Sequence, residues 1–124
     1  MAGWTSDELD KIAAADELRI SSRRSDGTLR NPVTIWVVRL GDDLFVRSVN
    51  GRTSHWFRGT RTRMEGHVTA GGASRDVIFE DADPKLNDQI DAAYRVKYHH
   101  YAKSIVDSII APGPRAATIR LVPK

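Results

Sequence analysis

Pro32-Val-Thr-Ile-Trp-Val-Val-Arg-Leu-Gly-Asp-Asp-Leu-Phe-Val-Arg-Ser48 is the stretch that decides the fold. Val33 to Leu40 is dense in β-branched and aromatic residues, which pack well on a pleated surface. Pro32 stands at its start, where a strand tolerates a missing amide. Gly41-Asp42-Asp43 is a tight turn, and Leu44 to Val49 returns. The two runs predict a β-hairpin.

On the N-terminal side, Glu17 to Arg24 alternates loosely and predicts another strand, closed by the turn residues Ser25-Asp-Gly-Thr28. Before it, Thr5 and Glu8 have capping-box spacing. Leu9, Ile12 and Ala13 then supply a short apolar stripe, so a helix is expected over about 5–15. On the C-terminal side, Ser54 to about Arg61 reads as a short helix. Met64 to Ala70 and Ser74 to Glu80 read as a second hairpin across Gly71-Gly72.

Asp83-Pro84 then has the N-cap and first-turn chemistry of a helix start. Leu86, Ile90, Tyr94, Tyr98, Tyr101, Ile105 and Ile109 follow at spacings of three or four. This predicts a long amphipathic helix over about 84–110, or two abutting ones, stopped by Ala111-Pro-Gly-Pro114. The tyrosines read as packing residues, and a dimer contact is also compatible with their amphipathic rings. Ala116 to Val122 is a final strand. Six mainly antiparallel strands in so short a chain are best satisfied by a closed or nearly closed barrel, because closure removes exposed edges. The expected fold is mainly β with α: a six-stranded barrel flanked by helices, as one domain over 1–124.

Composition narrows the function. Hydrophobic residues make up 40% and charged residues 28% of the 124, a globular balance that argues against disorder. There is no cysteine, which fits a cytoplasmic protein and removes thiol chemistry. The start of the chain is polar and acidic, without the pattern of a signal peptide. No apolar run approaches the ~18 residues of a membrane span. His55, His67, His99 and His100 form no metal-binding motif, so no metal is expected. There is no GxSxG, GxxxxGK[ST] or GxGxxG element either.

One stretch survives these exclusions. Arg47 to Arg63 holds five arginines, two aromatics, several hydroxyls and no acid. Arginine recognises phosphate bidentately, and hydroxyls and amides at the start of the short helix would add donors. A small phosphorylated ligand is the leading partner. Nucleic acid ranks below it, because the net charge is only +3 and aromatic residues are 7%. Arginines also collect at 19–30.

The order of elements resembles the flavin-binding split-barrel superfamily, which includes pyridoxamine-phosphate oxidases and deazaflavin-dependent nitroreductases. Residues 32–48 resemble its central hairpin, and Ser54-His-Trp-Phe-Arg58 the helix start that follows. Met64 to Gly72 resembles the next strand and turn, and Asp91-Ala-Ala-Tyr-Arg-Val-Lys-Tyr98 the long helix. Over roughly 17–122 the chain looks like a bacterial domain-of-unknown-function family within that superfamily. The resemblance implies a six-stranded antiparallel Greek-key split β-barrel, usually a homodimer, with FMN or a deazaflavin at the dimer interface. Its phosphate would meet Arg47, Ser48, Arg52, Ser54, Arg58 and Arg61. Its ring would lie along the hairpin, where Thr34 and Trp36 share a face by period-two alternation. Trp56-Phe-Arg-Gly59-Thr60 departs from the Trp-x-x-Asn-Leu pattern of the nitroreductase-like branch. A bound flavin would make the protein an oxidoreductase, with no catalytic acid or base nominated. The alternatives are a non-enzymatic barrel for another phosphorylated ligand, or a structural dimer.

Overall fold

The computed structural model describes residues 3–124; Met1 and Ala2, the first two residues of the leader reading, lie outside it. Helix α1 (Ser6–Ala14) is followed by β1 (Leu18–Ser22), β2 (Val33–Ile35), β3 (Val38–Leu40) and β4 (Asp43–Arg47). Next come α2 (His55–Thr60) and the hairpin of β5 (Glu65–Ala70) and β6 (Ala73–Asp81). The chain ends with α3 (Asn87–Lys97), α4 (Lys103–Ile109), the short α5 (Pro112–Arg115) and β7 (Thr118–Pro123). Among the described residues, no helix is long and apolar enough to cross a membrane.

Local chemistry sets the ends of these elements. At α1, the Glu8 amide donates to Thr5 Oγ1 at 3.1 Å and the Thr5 amide to Glu8 Oε1 at 2.9 Å. The capping box is thus complete. In the β5–β6 turn, Gly71 and Gly72 both take positive φ, 57° and 90°, as two-residue hairpin turns demand. A Cβ on Gly71 would also sit 2.2 Å from the Lys11 carbonyl oxygen. The turn therefore presses against α1 in a way that only glycine permits.

The sheet has seven strands, not six, in the order β2-β1-β5-β6-β7-β4-β3, and every neighbouring pair is antiparallel. The extra strand comes from the stretch expected to be one. Val33–Ile35 pairs with β1, setting Leu18 opposite Ile35, whereas Val38–Leu40 pairs with β4, setting Val38 opposite Phe45. Only the second half belongs to the predicted hairpin. β2 and β3 are the two edges of the sheet, yet only Trp36 and Val37 separate them. So short a link forces the sheet to curl until its edges adjoin.

Curling produces two cores. Leu18, Ile20, Val37, Leu44, Val46, Phe57, Val68, Val77 and Phe79 pack with Leu9 and Ile12 of α1. Val38 and Phe45 instead face outward and pack with Ile90, Tyr94, Tyr98, Val106 and Ile109. β4 is therefore covered on both faces. Tyr94 and Tyr98 are fully buried in this second core, so the tyrosine stripe packs within the chain and offers a partner only Tyr101.

Of the two forms expected over 84–110, the stretch takes the two-helix one, α3 and α4, with a break at 98–102 between them. A straight helix would put Ile90 and Ile109 about 28 Å apart, yet both lie in the second core. Folding back α4 is what brings them together. No proline or glycine marks the break. It is held by the hydroxyls of Tyr98, bonded to Asp16 O at 2.8 Å, and Tyr101, bonded to Asp16 Oδ2 at 3.3 Å.

Candidate functional site

Trp36 falls at the strand break and is held there by stacking. Its ring lies parallel to that of Tyr98, with centroids 3.9 Å apart. Beside it, β2, α2 and α4 enclose a groove of about 380 Å³, mostly apolar, with Thr34, Trp36, Trp56, Ile105 and Ile109 in its walls. Thr34 and Trp36 thus line one groove. Arg47 backs the same groove from below.

Arg47 itself is almost wholly buried. It follows Phe45 by two on β4 and so points into the second core. There its Nη1 donates to Asp91 Oδ1 at 2.5 Å and its Nε to Thr118 Oγ1 at 2.9 Å. Its Nη2 donates to the carbonyl and the side-chain oxygen of Asn87, each at 3.3 Å. Asn87 and Asp91 are one turn apart on α3, so a single helix face serves the guanidinium. These bonds commit Arg47 to joining β4, α3 and β7 beneath the groove.

The remaining expected phosphate residues are tied to different partners. The hydroxyls of Ser48 and Ser54 bond each other at 2.6 Å, and Ser54 also caps α2 by accepting from the Phe57 amide. Arg52 donates to the Ala116 carbonyl at 3.0 Å. Arg61 forms a two-point ion pair with Asp81, at 2.6 and 3.1 Å. Both guanidiniums lie over Phe57, at 5.0 and 5.7 Å from its centroid. Arg58 is exposed on α2.

A second cavity, about 340 Å³, opens on the other side of Trp56. Val33 and Trp56 line both hollows and form the wall between them. The second one is polar: Arg24, Arg30, Asn31, His55, Ser22 and Thr60 line it. Arg30 donates to the carbonyls of Arg23 (2.9 Å) and Gly59 (3.2 Å) and to Ser22 Oγ (3.3 Å). Arg24 donates to Leu29 O at 2.9 Å and Thr28 Oγ1 at 3.2 Å. Neither guanidinium is paired with a carboxylate among the described residues.

Gly59 explains one departure in the sequence. A Cβ there would lie 2.9 Å from Ser22 Oγ and 3.3 Å from Arg30 Cδ. The glycine makes room for Arg30 to cross α2. Sequence reasoning missed this cavity as a site. Its only sign was the cluster of arginines at 19–30, which α2 and β1 bring beside the 54–60 segment. No group of three or more potential metal ligands occurs among the described residues.

The curled sheet, the flanking helices and the paired hollows define a protein of the split-barrel type, and the resemblance read from the residues holds at the level of fold. The chain belongs to the family described as "Uncharacterized protein conserved in bacteria (DUF2255)", whose model matches residues 8–121. No curated protein matches the sequence.

Solved structures do share the fold. A conserved hypothetical protein, Rv2991, from Mycobacterium tuberculosis superposes with a TM-score of 0.72 at 10% identity, covering 100% of this chain and 82% of its own. HutZ, a heme storage protein from Vibrio cholerae, gives 0.68 at 14% identity, covering 96% and 89%. An F420 reductase gives 0.61 at 13% identity, covering 93% and 91%.

Proposed function

We propose that this protein binds FMN or a deazaflavin, with the ring in the apolar groove against Thr34 and Trp36. The observation that carries this reading is the groove itself. Its volume of about 380 Å³ lies within the roughly 300–1,000 Å³ of small-molecule sites. Its walls combine two indoles and aliphatic side chains with a few polar groups, including Thr34, Asn50 and Ser108. That composition suits a flat heteroaromatic ring with polar edges. The likeness to an F420 reductase supports the same class of ligand. Among the described residues that line the groove there is no histidine, which favours a flavin-type ring over haem in this reading.

When bound, such a ring supplies hydride or electron transfer. The chain's own part is to hold the ring and exclude water. Trp36 is pre-positioned by its stack on Tyr98, and Arg47 and Asp91 fix the floor. In this reading the protein is a homodimeric oxidoreductase. Val49 and Ile105, each 48% exposed, sit at the groove and give a second copy apolar surface to cover. The alternative is another phosphorylated ligand without redox chemistry.

The test is calorimetric titration and thermal shift of purified protein with riboflavin, FMN and a deazaflavin. Binding that weakens in Trp36→Leu supports the reading. No thermal shift at ligand concentrations of ~100 μM and above overturns it, since a useful affinity would stabilise the fold by mass action. Light scattering of the same samples checks the dimer.

A further inference from the structure

We infer that the cavity walled by Arg24, Arg30, Asn31 and His55 binds a phosphoryl anion, and that this is the phosphate end of the ligand whose ring lies across Trp56. The second half of this statement rests on the groove reading above; the first does not. It places the phosphate on the β1 side of Trp56, in a cavity that Arg52, Arg58 and Arg61 do not line.

Three observations carry it. First, the cavity has room, at about 340 Å³, for a phosphate or pyrophosphate with its water. Second, its charge is unbalanced. Two arginines line it and no acid does. Their bonds go to carbonyls and hydroxyls rather than carboxylates; the acid near Arg24 is Asp26, which Thr28 holds on the exposed turn outside the cavity lining. By contrast, Arg61 is neutralised by Asp81, and Arg47 by Asp91.

Third, Arg30 is built into place. Its side chain crosses α2 over Gly59, where any Cβ would crowd it, and three backbone or side-chain oxygens fix it. A preorganised guanidinium loses little entropy on binding, and arginine suits phosphate. Asn31 and Ser22 add neutral donors beside it, and His55 a ring nitrogen. Since the two hollows share Val33 and Trp56, one ligand can put its ring in one and its phosphate in the other.

The experiment compares FMN, riboflavin and inorganic pyrophosphate by calorimetry on wild type, Arg24→Gln, His55→Gln and the double variant Arg52→Gln/Arg58→Gln. Circular dichroism and melting confirm that each variant folds. The expected result is that FMN binds more tightly than riboflavin, and that pyrophosphate binds alone. Arg24→Gln and His55→Gln should weaken FMN and pyrophosphate by roughly tenfold, the size of one lost charged hydrogen bond, and leave riboflavin unchanged. The double variant should bind all three like wild type.

A loss confined to the Arg52/Arg58 variant overturns the inference while leaving the cofactor reading intact. Pyrophosphate binding that Arg24→Gln abolishes, with no binding of either flavin, supports the anion site and overturns the cofactor reading. No pyrophosphate binding and no preference for FMN over riboflavin overturns the inference outright.

Discussion

The Tyr98 hydroxyl accepts the amide of Val37 at 3.1 Å, 61 residues away, where the strand from 33 to 40 breaks. Val37 sits between β2 and β3 and has no ladder partner. Its carbonyl is met by Lys97 Nζ at 2.7 Å, and the Tyr98 hydroxyl donates in turn to Asp16 O at 2.8 Å. Two neighbouring side chains at the C-terminal end of α3, Lys97 and the cap residue Tyr98, thus replace the backbone bonds that the break removes.

Tyr98→Phe should therefore leave a buried amide unpaired and cost about 1–3 kcal/mol of stability. Tyr94 is the contrast. Its hydroxyl is buried with no hydrogen-bond partner among the described residues, and burial pushes its pKa far up. Tyr94→Phe should be near neutral or stabilising. Urea denaturation of both variants checks the pair, and equal losses would contradict this account of Val37.

Asp91 faces the buried Arg47. Removing one member of such a pair leaves an uncompensated charge, so Asp91→Ala should cost about 3–5 kcal/mol. Asp91→Asn keeps a hydrogen-bonding oxygen and should cost less. Because Arg47 backs the groove, any ligand bound there should weaken in parallel. Denaturant midpoints together with titration of Asp91→Asn measure both effects.

Lys97 predicts a pH effect. Burial lowers its pKa to about 8, only partly opposed by the nearby Asp16. The folded state then binds this proton less tightly than the unfolded state does, so the penalty is full below pH 8. It is relieved as pH rises toward the ordinary lysine value near 10.5. Relative to Lys97→Met, the wild type should gain stability between pH 8 and 10. Unfolding free energies of both proteins across that range give the sign directly; a flat difference would show that Lys97 titrates normally.

Gly59→Ala should push Arg30 and Ser22 apart, since the new methyl lies 2.9 Å from one and 3.3 Å from the other. The contacts are to side chains and not to backbone, but Ser22 is buried and Arg30 is held by hydrogen bonds, so the cost should be about 1–3 kcal/mol. The melting temperature and pyrophosphate affinity should fall together.

The elements that were legible beforehand are those with local causes. Thr5 and Glu8 cap a helix through bonds three residues apart. Gly71 and Gly72 make a turn by their own φ angles. Val38 to Arg47 forms a hairpin because adjacent runs find each other first. Thr34 and Trp36 line one groove because they are close neighbours across the end of β2.

Other features have causes distant in the chain. Val33–Ile35 pairs with Leu18–Ile20, which no alternation in 33–40 could announce. Arg47 sits in a run buried on both faces, so its pattern could not tell a ligand-facing arginine from one bound to Asp91. The break at 98–102 carries no proline or glycine; hydroxyl bonds from Tyr98 and Tyr101 to Asp16 and packing around Ile90 and Ile109 hold it.

By itself, then, the sequence determined the periodicities, caps and turns of a mainly antiparallel β protein with helices, and marked two arginine-rich segments. Only the tertiary structure decided which arginines are neutralised and which face a cavity. Periodicity is a property of neighbours, whereas charge pairing and burial depend on what the curled sheet brings against each side chain from dozens of residues away.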